Sequence, residues 1–92
     1  MDLQDKRHEI LRIAAIHGAR NVRLFGSAAR GEDRPDSDLD LLVEMESGRS
    51  LFDLVGLGQD LEDFLHRKVD VLTDLSLHPA LRARIVAEAR PL

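Results

Sequence analysis

The sequence predicts a small α/β fold, one mixed β-sheet with helices packed mainly on one of its faces. Two observations carry that expectation. Apolar residues recur at helical spacing in two long stretches, and three short runs bounded by turn residues have strand character. The resulting order, helix, strand, strand, helix, strand, helix, leaves a sheet whose apolar face helices can cover. The 92 residues are expected to form one domain over 1–92.

The first helix is expected over residues 2–17. Leu3, Ile10, Ile13, Ala14 and His17 share one helical face, Leu11 and Ile16 widen it, and Gly18 stops it. Residues 21–25 read as a strand through Val22, Leu24 and Phe25. Gly26-Ser27 then turns the chain, with Ser27 capping a single helical turn over 28–30 that Gly31 ends. The polar loop GEDRPDS follows, with Glu32, Asp33 and Asp36 read as solvated and offset in part by Arg34. The second strand is expected over 38–44, where Leu39, Leu41 and Val43 alternate against Asp38, Asp40, Leu42 and Glu44. Ser50 and Asp53 give a capping-box-like start to a helix over 51–66. KVDVLT forms a third strand over 68–73, Thr73-Asp74 closes it, and Pro79 opens a last helix through Arg90.

The second helix carries Gly56 and Gly58 inside its pattern, each costing about 1 kcal/mol relative to alanine. Leu51, Phe52, Leu54, Val55, Leu57, Leu61, Phe64 and Leu65 give it a wider apolar surface than one core stripe needs. Packing within the domain is the expected use of that surface, the alternative being that part of it faces a partner. His8, His17, His66 and His78 show no metal-ligand spacing and read as structural, His17 and His66 lying near helix C-termini.

Composition narrows the function. There are no cysteines, which removes disulfides and thiolate metal sites and fits a cytoplasmic setting. The polar N-terminus does not resemble a secretory leader, and no run approaches the ~20 apolar residues of a membrane span, so no membrane association is expected. A net charge of −4 argues against generic duplex binding, and 3% aromatic residues, all phenylalanine, argue against a base-stacking platform.

The chemistry concentrates in LFGSAARGEDRPDSDLDLLVEM, residues 24–45. Side chains two apart on a strand point the same way, so Asp38 and Asp40 project together from one face at the start of a core strand. Two such carboxylates repel, and burial would force a proton onto one of them. A divalent cation resolves the conflict, and Mg²⁺ prefers carboxylate oxygens and is usually shared with substrate phosphates. Asp70, between two valines in a strand that can lie beside the second, offers a third carboxylate for two metals. Gly26 lets a triphosphate approach the backbone, Ser27 adds a hydroxyl donor, and Arg30 lies within reach of the β- or γ-phosphate. Phosphate-gripping amides beside a carboxylate cluster suggest attack at an α-phosphate, with pyrophosphate leaving. Glu44 shares the carboxylate face but lies further along, as supporting or surface charge.

Gly26-Ser27, ten residues, then Asp38-x-Asp40 and a later strand aspartate resembles the DNA polymerase β-like nucleotidyltransferase superfamily. Within it, GSAARGEDRPDSDLDLLVEM resembles the minimal nucleotidyltransferase (MNT) antitoxins of HEPN/MNT toxin–antitoxin systems. The resemblance spans roughly residues 22–90 and implies the polymerase β-like fold. It also implies two Mg²⁺ ions, ATP as substrate, and transfer of AMP to a tyrosine of a HEPN-domain RNase toxin. Asp38, Asp40 and Asp70 would be catalytic metal ligands, with Asp70 helping to deprotonate the acceptor; Gly26, Ser27 and Arg30 would bind the nucleotide. No expected motif residue is missing. Length points to a partner independently, because 92 residues with metal and phosphate sites leave no room for an acceptor domain. The acceptor is expected on another macromolecule or a second copy, and with no tyrosine in the chain, tyrosine self-modification is excluded. The alternatives are an antitoxin that acts by binding alone and a nucleotidyltransferase of small molecules such as antibiotics.

Overall fold

The computed structural model describes residues 3–34 and 36–92. Leu3–Lys6 is a 3₁₀ turn that leads into α1 (Arg7–Ile16), followed by β1 (Ala19–Phe25) and β2 (Leu39–Met45). Then come α2 (Leu51–Leu65), β3 (Val69–Thr73), α3 (Pro79–Glu88) and a two-residue β4 (Arg90–Pro91). The sheet order is β3-β2-β1-β4, with β2 and β3 parallel and the other pairs antiparallel. This is the mixed sheet the pattern implied, with α1 and α2 packed on one face.

That face is the core. Ile10, Ile13 and Ala14 of α1 and Leu57, Leu61 and Leu65 of α2 bury against Val22, Leu24, Leu39, Leu41, Val43 and Val69. Leu39, Leu41 and Val43 are fully buried, as the alternation of β2 requires. Leu42 is equally buried on the opposite face, so β2 is covered on both sides at its centre.

Helix boundaries follow local chemistry. His17 caps α1 and Gly18, at φ +78°, takes the left-handed C′ position. Ser50 and Asp53 close a full capping box at the start of α2, and His66 ends it in the left-handed conformation. Pro79 occupies the first turn of α3, where its missing N–H costs nothing, and the ring of His78 accepts the Ala80 amide.

Four expectations change. Helix α1 starts at Arg7, with a 3₁₀ turn before it; Asp2 lies outside the described residues. The expected helical turn at 28–30 is a hydrogen-bonded turn that stops short of a helix, the Arg30 amide donating to the carbonyls of Gly26 and Ser27. Helix α3 ends at Glu88, because Pro91 disfavours helical backbone at the residue before it. Arg90–Pro91 instead becomes an edge strand on β1, where proline is tolerated, and Leu92 is buried beside it. Finally, only part of the apolar surface of α2 enters the core. Leu51, Phe52 and Val55 stay exposed, Phe52 at 88%. Gly56 lies where a Cβ would come within 3.1 Å of the His17 ring, so this glycine serves the close approach of α1 and α2.

Candidate active site

The register of the sheet assembles the site. Asp40 of β2 stands directly opposite Asp70 of β3 in the parallel pair, and opposite Phe25 of β1 on the other side. Asp38 precedes β2 by one residue and is exposed, its carboxylate 4.0 Å from Nζ of Lys68. All three carboxylates therefore share the end of the sheet where β2 and β3 begin, and Asp40 and Asp70 share the face away from α1 and α2.

Asp40 records the crowding. Burial, the charge of Asp70 and then that of Asp38 all push its carboxyl above the usual aspartate range, with Arg30 pulling weakly the other way. Among the described residues, no three His, Cys, Asp or Glu side chains form a preassembled metal site. The donor set fits Mg²⁺, since three hard carboxylate oxygens at one sheet end carry an electrostatic conflict that a divalent cation relieves.

The Gly-Ser turn sits on this cluster. Gly26, at φ +69°, has backbone that side-chain-bearing residues rarely adopt, and a Cβ there would lie 2.6 Å from Oδ2 of Asp40. Glycine is thus required twice, for the conformation and for the space above Asp40. After it, the amides of Arg30 and Glu32 fold back onto the carbonyl of Ser27, at 3.2 and 2.9 Å. The amides of Ser27, Ala28 and Ala29 donate to none of the described groups. Three unpaired amides beside a glycine beside a carboxylate suit a polyanion. Arg30 is exposed, 3.2 Å from Glu32, and close enough for its charge to reach Asp40.

The structure brings together all six residues singled out from sequence: Gly26, Ser27, Arg30, Asp38, Asp40 and Asp70. It also reveals one not singled out. Arg67, just past α2, clamps the acidic loop: its guanidinium donates to both carboxylate oxygens of Asp33 at 2.6 and 3.0 Å. It also donates to the carbonyl of Ser37 at 2.7 and 3.0 Å. Asp33 is therefore not the solvated residue expected, and Arg67 holds its carboxyl below the usual range. The partner is 34 positions away, beyond the reach of any local pattern; the only signal was the loop's excess of acid over base. Glu44 lies at the far end of β2, 3.9 Å from Arg20, as surface charge.

The chain belongs to the nucleotidyltransferase domain family, whose model matches residues 9–92. A Methanocaldococcus jannaschii protein assigned provisionally as a protein adenylyltransferase is 45% identical over 89 residues, covering 97% of this chain and 96% of that relative. The protein adenylyltransferase MntA of Thermococcus cleftensis is 37% identical over 71 residues, covering 77% of this chain and 72% of its own. A solved structure described provisionally as a minimal nucleotidyltransferase superposes with TM-score 0.88 at 48% identity, covering 100% of this chain and 97% of that one. A toxin–antitoxin structure with AMP-PNP shares the fold, with TM-score 0.77 at 22% identity, over 91% of this chain and 69% of that one.

Proposed function

We propose that this chain transfers AMP from ATP to a side-chain hydroxyl of a protein partner, a tyrosine of a HEPN-domain RNase toxin, and so acts as its antitoxin. The observation that carries the reading is Asp40 packed under Gly26, opposite Asp70 across the sheet and two residues from Asp38. The names of the two archaeal relatives support a protein acceptor. The toxin–antitoxin setting and AMP-PNP of the structural neighbour agree with it.

Each residue has a task. The free amides after Gly26, with the Ser27 hydroxyl, hold the triphosphate, and Arg30 meets its outer phosphates. Asp38, Asp40 and Asp70 would hold Mg²⁺, two ions in the full site, whose charge offsets that of the phosphates and polarises the α-phosphoryl group. The acceptor oxygen forms a bond to the α-phosphorus as the bond from that phosphorus to the bridging oxygen breaks. Pyrophosphate departs with the electron pair. Asp70, on the edge strand β3, would take the acceptor's proton.

The test is transfer itself. The protein is incubated with α-labelled ATP, Mg²⁺ and the toxin encoded beside it, and compared with Asp38→Asn/Asp40→Asn. Label on the toxin that vanishes in the variant supports the reading. Neutralisation without label, equal in both, would establish a binding-only antitoxin instead.

A further inference from the structure

We infer that Arg67 is a positioning residue for the carboxylate cluster: it fixes the entry of β2 and thereby aims Asp38 and Asp40. The inference rests on the metal–nucleotide reading above and adds a residue which that reading did not use.

Three contacts join the turn after α2 to the start of β2. The guanidinium of Arg67 grips the carboxylate of Asp33 and the carbonyl of Ser37, the residue immediately before Asp38. The carbonyl of Lys68 accepts the amide of Leu39 at 2.9 Å, immediately after Asp38. The Lys68 ammonium lies 4.0 Å from the Asp38 carboxylate. Asp38 is thus bracketed by hydrogen bonds to one dipeptide, from the Arg67 side chain to the Ser37 carbonyl before it and from the Leu39 amide to the Lys68 carbonyl after it.

The grip of Arg67 is not ordinary surface pairing. Its side chain is only 9% exposed, and the planar fork binds two oxygens of one carboxylate while also reaching a carbonyl, which lysine cannot imitate. The left-handed turn at His66 sets the direction in which the chain leaves α2 toward this loop. Ser37 completes the anchor, accepting the Arg34 amide on its hydroxyl at 3.2 Å. Without Arg67, the segment before Asp38 would keep only the local bonds between Ser37 and Arg34, with no tie to the turn after α2, in a loop rich in like charge that pushes apart. Groups that orient metal ligands typically change metal affinity about 10–100-fold when removed.

The experiment uses Mn²⁺ and AMP-PNP as probes with the full chain. Mn²⁺ affinity is measured by electron paramagnetic resonance with AMP-PNP present, and AMP-PNP binding without metal by the shift of the Ser27 amide. Exchange of the Leu39 amide is followed in metal-free protein. In Arg67→Ala, Mn²⁺ affinity is expected to fall about tenfold and Leu39 exchange to quicken. Metal-free AMP-PNP binding should change less than twofold, because the Gly26 turn is untouched. Arg67→Lys should recover part of the Mn²⁺ affinity, and carries the test if the alanine variant does not fold. Unchanged Mn²⁺ affinity in the folded variants, or equal losses with and without metal, would overturn the inference. Wild-type protein that binds neither probe would overturn the underlying site reading as well.

Discussion

The two ends of the sheet treat charge in opposite ways. At the far end, charges are matched: Arg23, 8% exposed, donates to Asp74 at 2.8 Å, Arg82 donates to the Asp74 carbonyl, and Arg20 stands near Glu44. At the other end Asp38, Asp40 and Asp70 meet with, among the described residues, exposed Arg30 and Lys68 nearby, while the largely buried arginine of that end, Arg67, is spent on Asp33. A matched buried pair fastens a structure. Like charges left facing one another raise the energy of the free protein and are relieved by a ligand. The comparison separates groups that hold the fold from groups that wait for a substrate.

Substitutions at each end can break that contrast. The largest effect is expected from Asp40→Asn, which should lower transfer about a thousandfold or more, since metal stabilisation of the reacting group is worth several kcal/mol. The same change should raise the melting temperature of the metal-free protein. The sign follows from linkage: the carboxyl of Asp40 is raised in the folded state, so stability falls as pH climbs through the window between its unfolded and folded values. Above that window the penalty is present in full, and asparagine removes it. Gly26→Ala comes next. The left-handed backbone costs about 1–2 kcal/mol with a Cβ, and contact with Asp40 should displace the carboxylate, lowering both stability and transfer.

Arg23→Ala sharpens the contrast from the other side. It should cost about 2 kcal/mol by chemical denaturation, as a lost charge-assisted bond, and leave Mn²⁺ affinity unchanged. The smallest effect is acid lability at Asp33. Arg67 lowers the Asp33 carboxyl in the folded state, so its contribution is present above the unfolded value and lost as pH falls through the folded one. Asp33→Asn should flatten stability across that acid window, measured by melting curves between about pH 2 and 5.

Much of this was legible in the sequence. The alternation of Leu39, Leu41 and Val43 placed β2 and the face of Asp38 and Asp40, because strand geometry has a period of two. The order Gly26-Ser27, Asp38-x-Asp40, Asp70 marked the candidate site, whose members the fold then brought to one end of the sheet. What was not legible depended on contacts distant in the chain. Arg67 finds Asp33 only after β3 pairs with β2. Two-residue β4 is too short to show any period, and the division of α2 between core leucines and exposed Phe52 depends on how closely α1 approaches at Gly56.

The central claim is that the unmatched carboxylates at the head of β2 and β3 hold a metal-bound nucleotide. The most direct measurement is the melting temperature of wild-type and Asp40→Asn protein with and without Mg²⁺ and AMP-PNP. At a hundred times the dissociation constant, ligation adds about 2.7 kcal/mol, or roughly 10 °C for a chain this size. Wild type should show the full rise with both components and a smaller one with AMP-PNP alone, and Asp40→Asn should lose the metal-dependent part. An equal rise in both proteins, or none in wild type at saturating concentrations, would contradict the account.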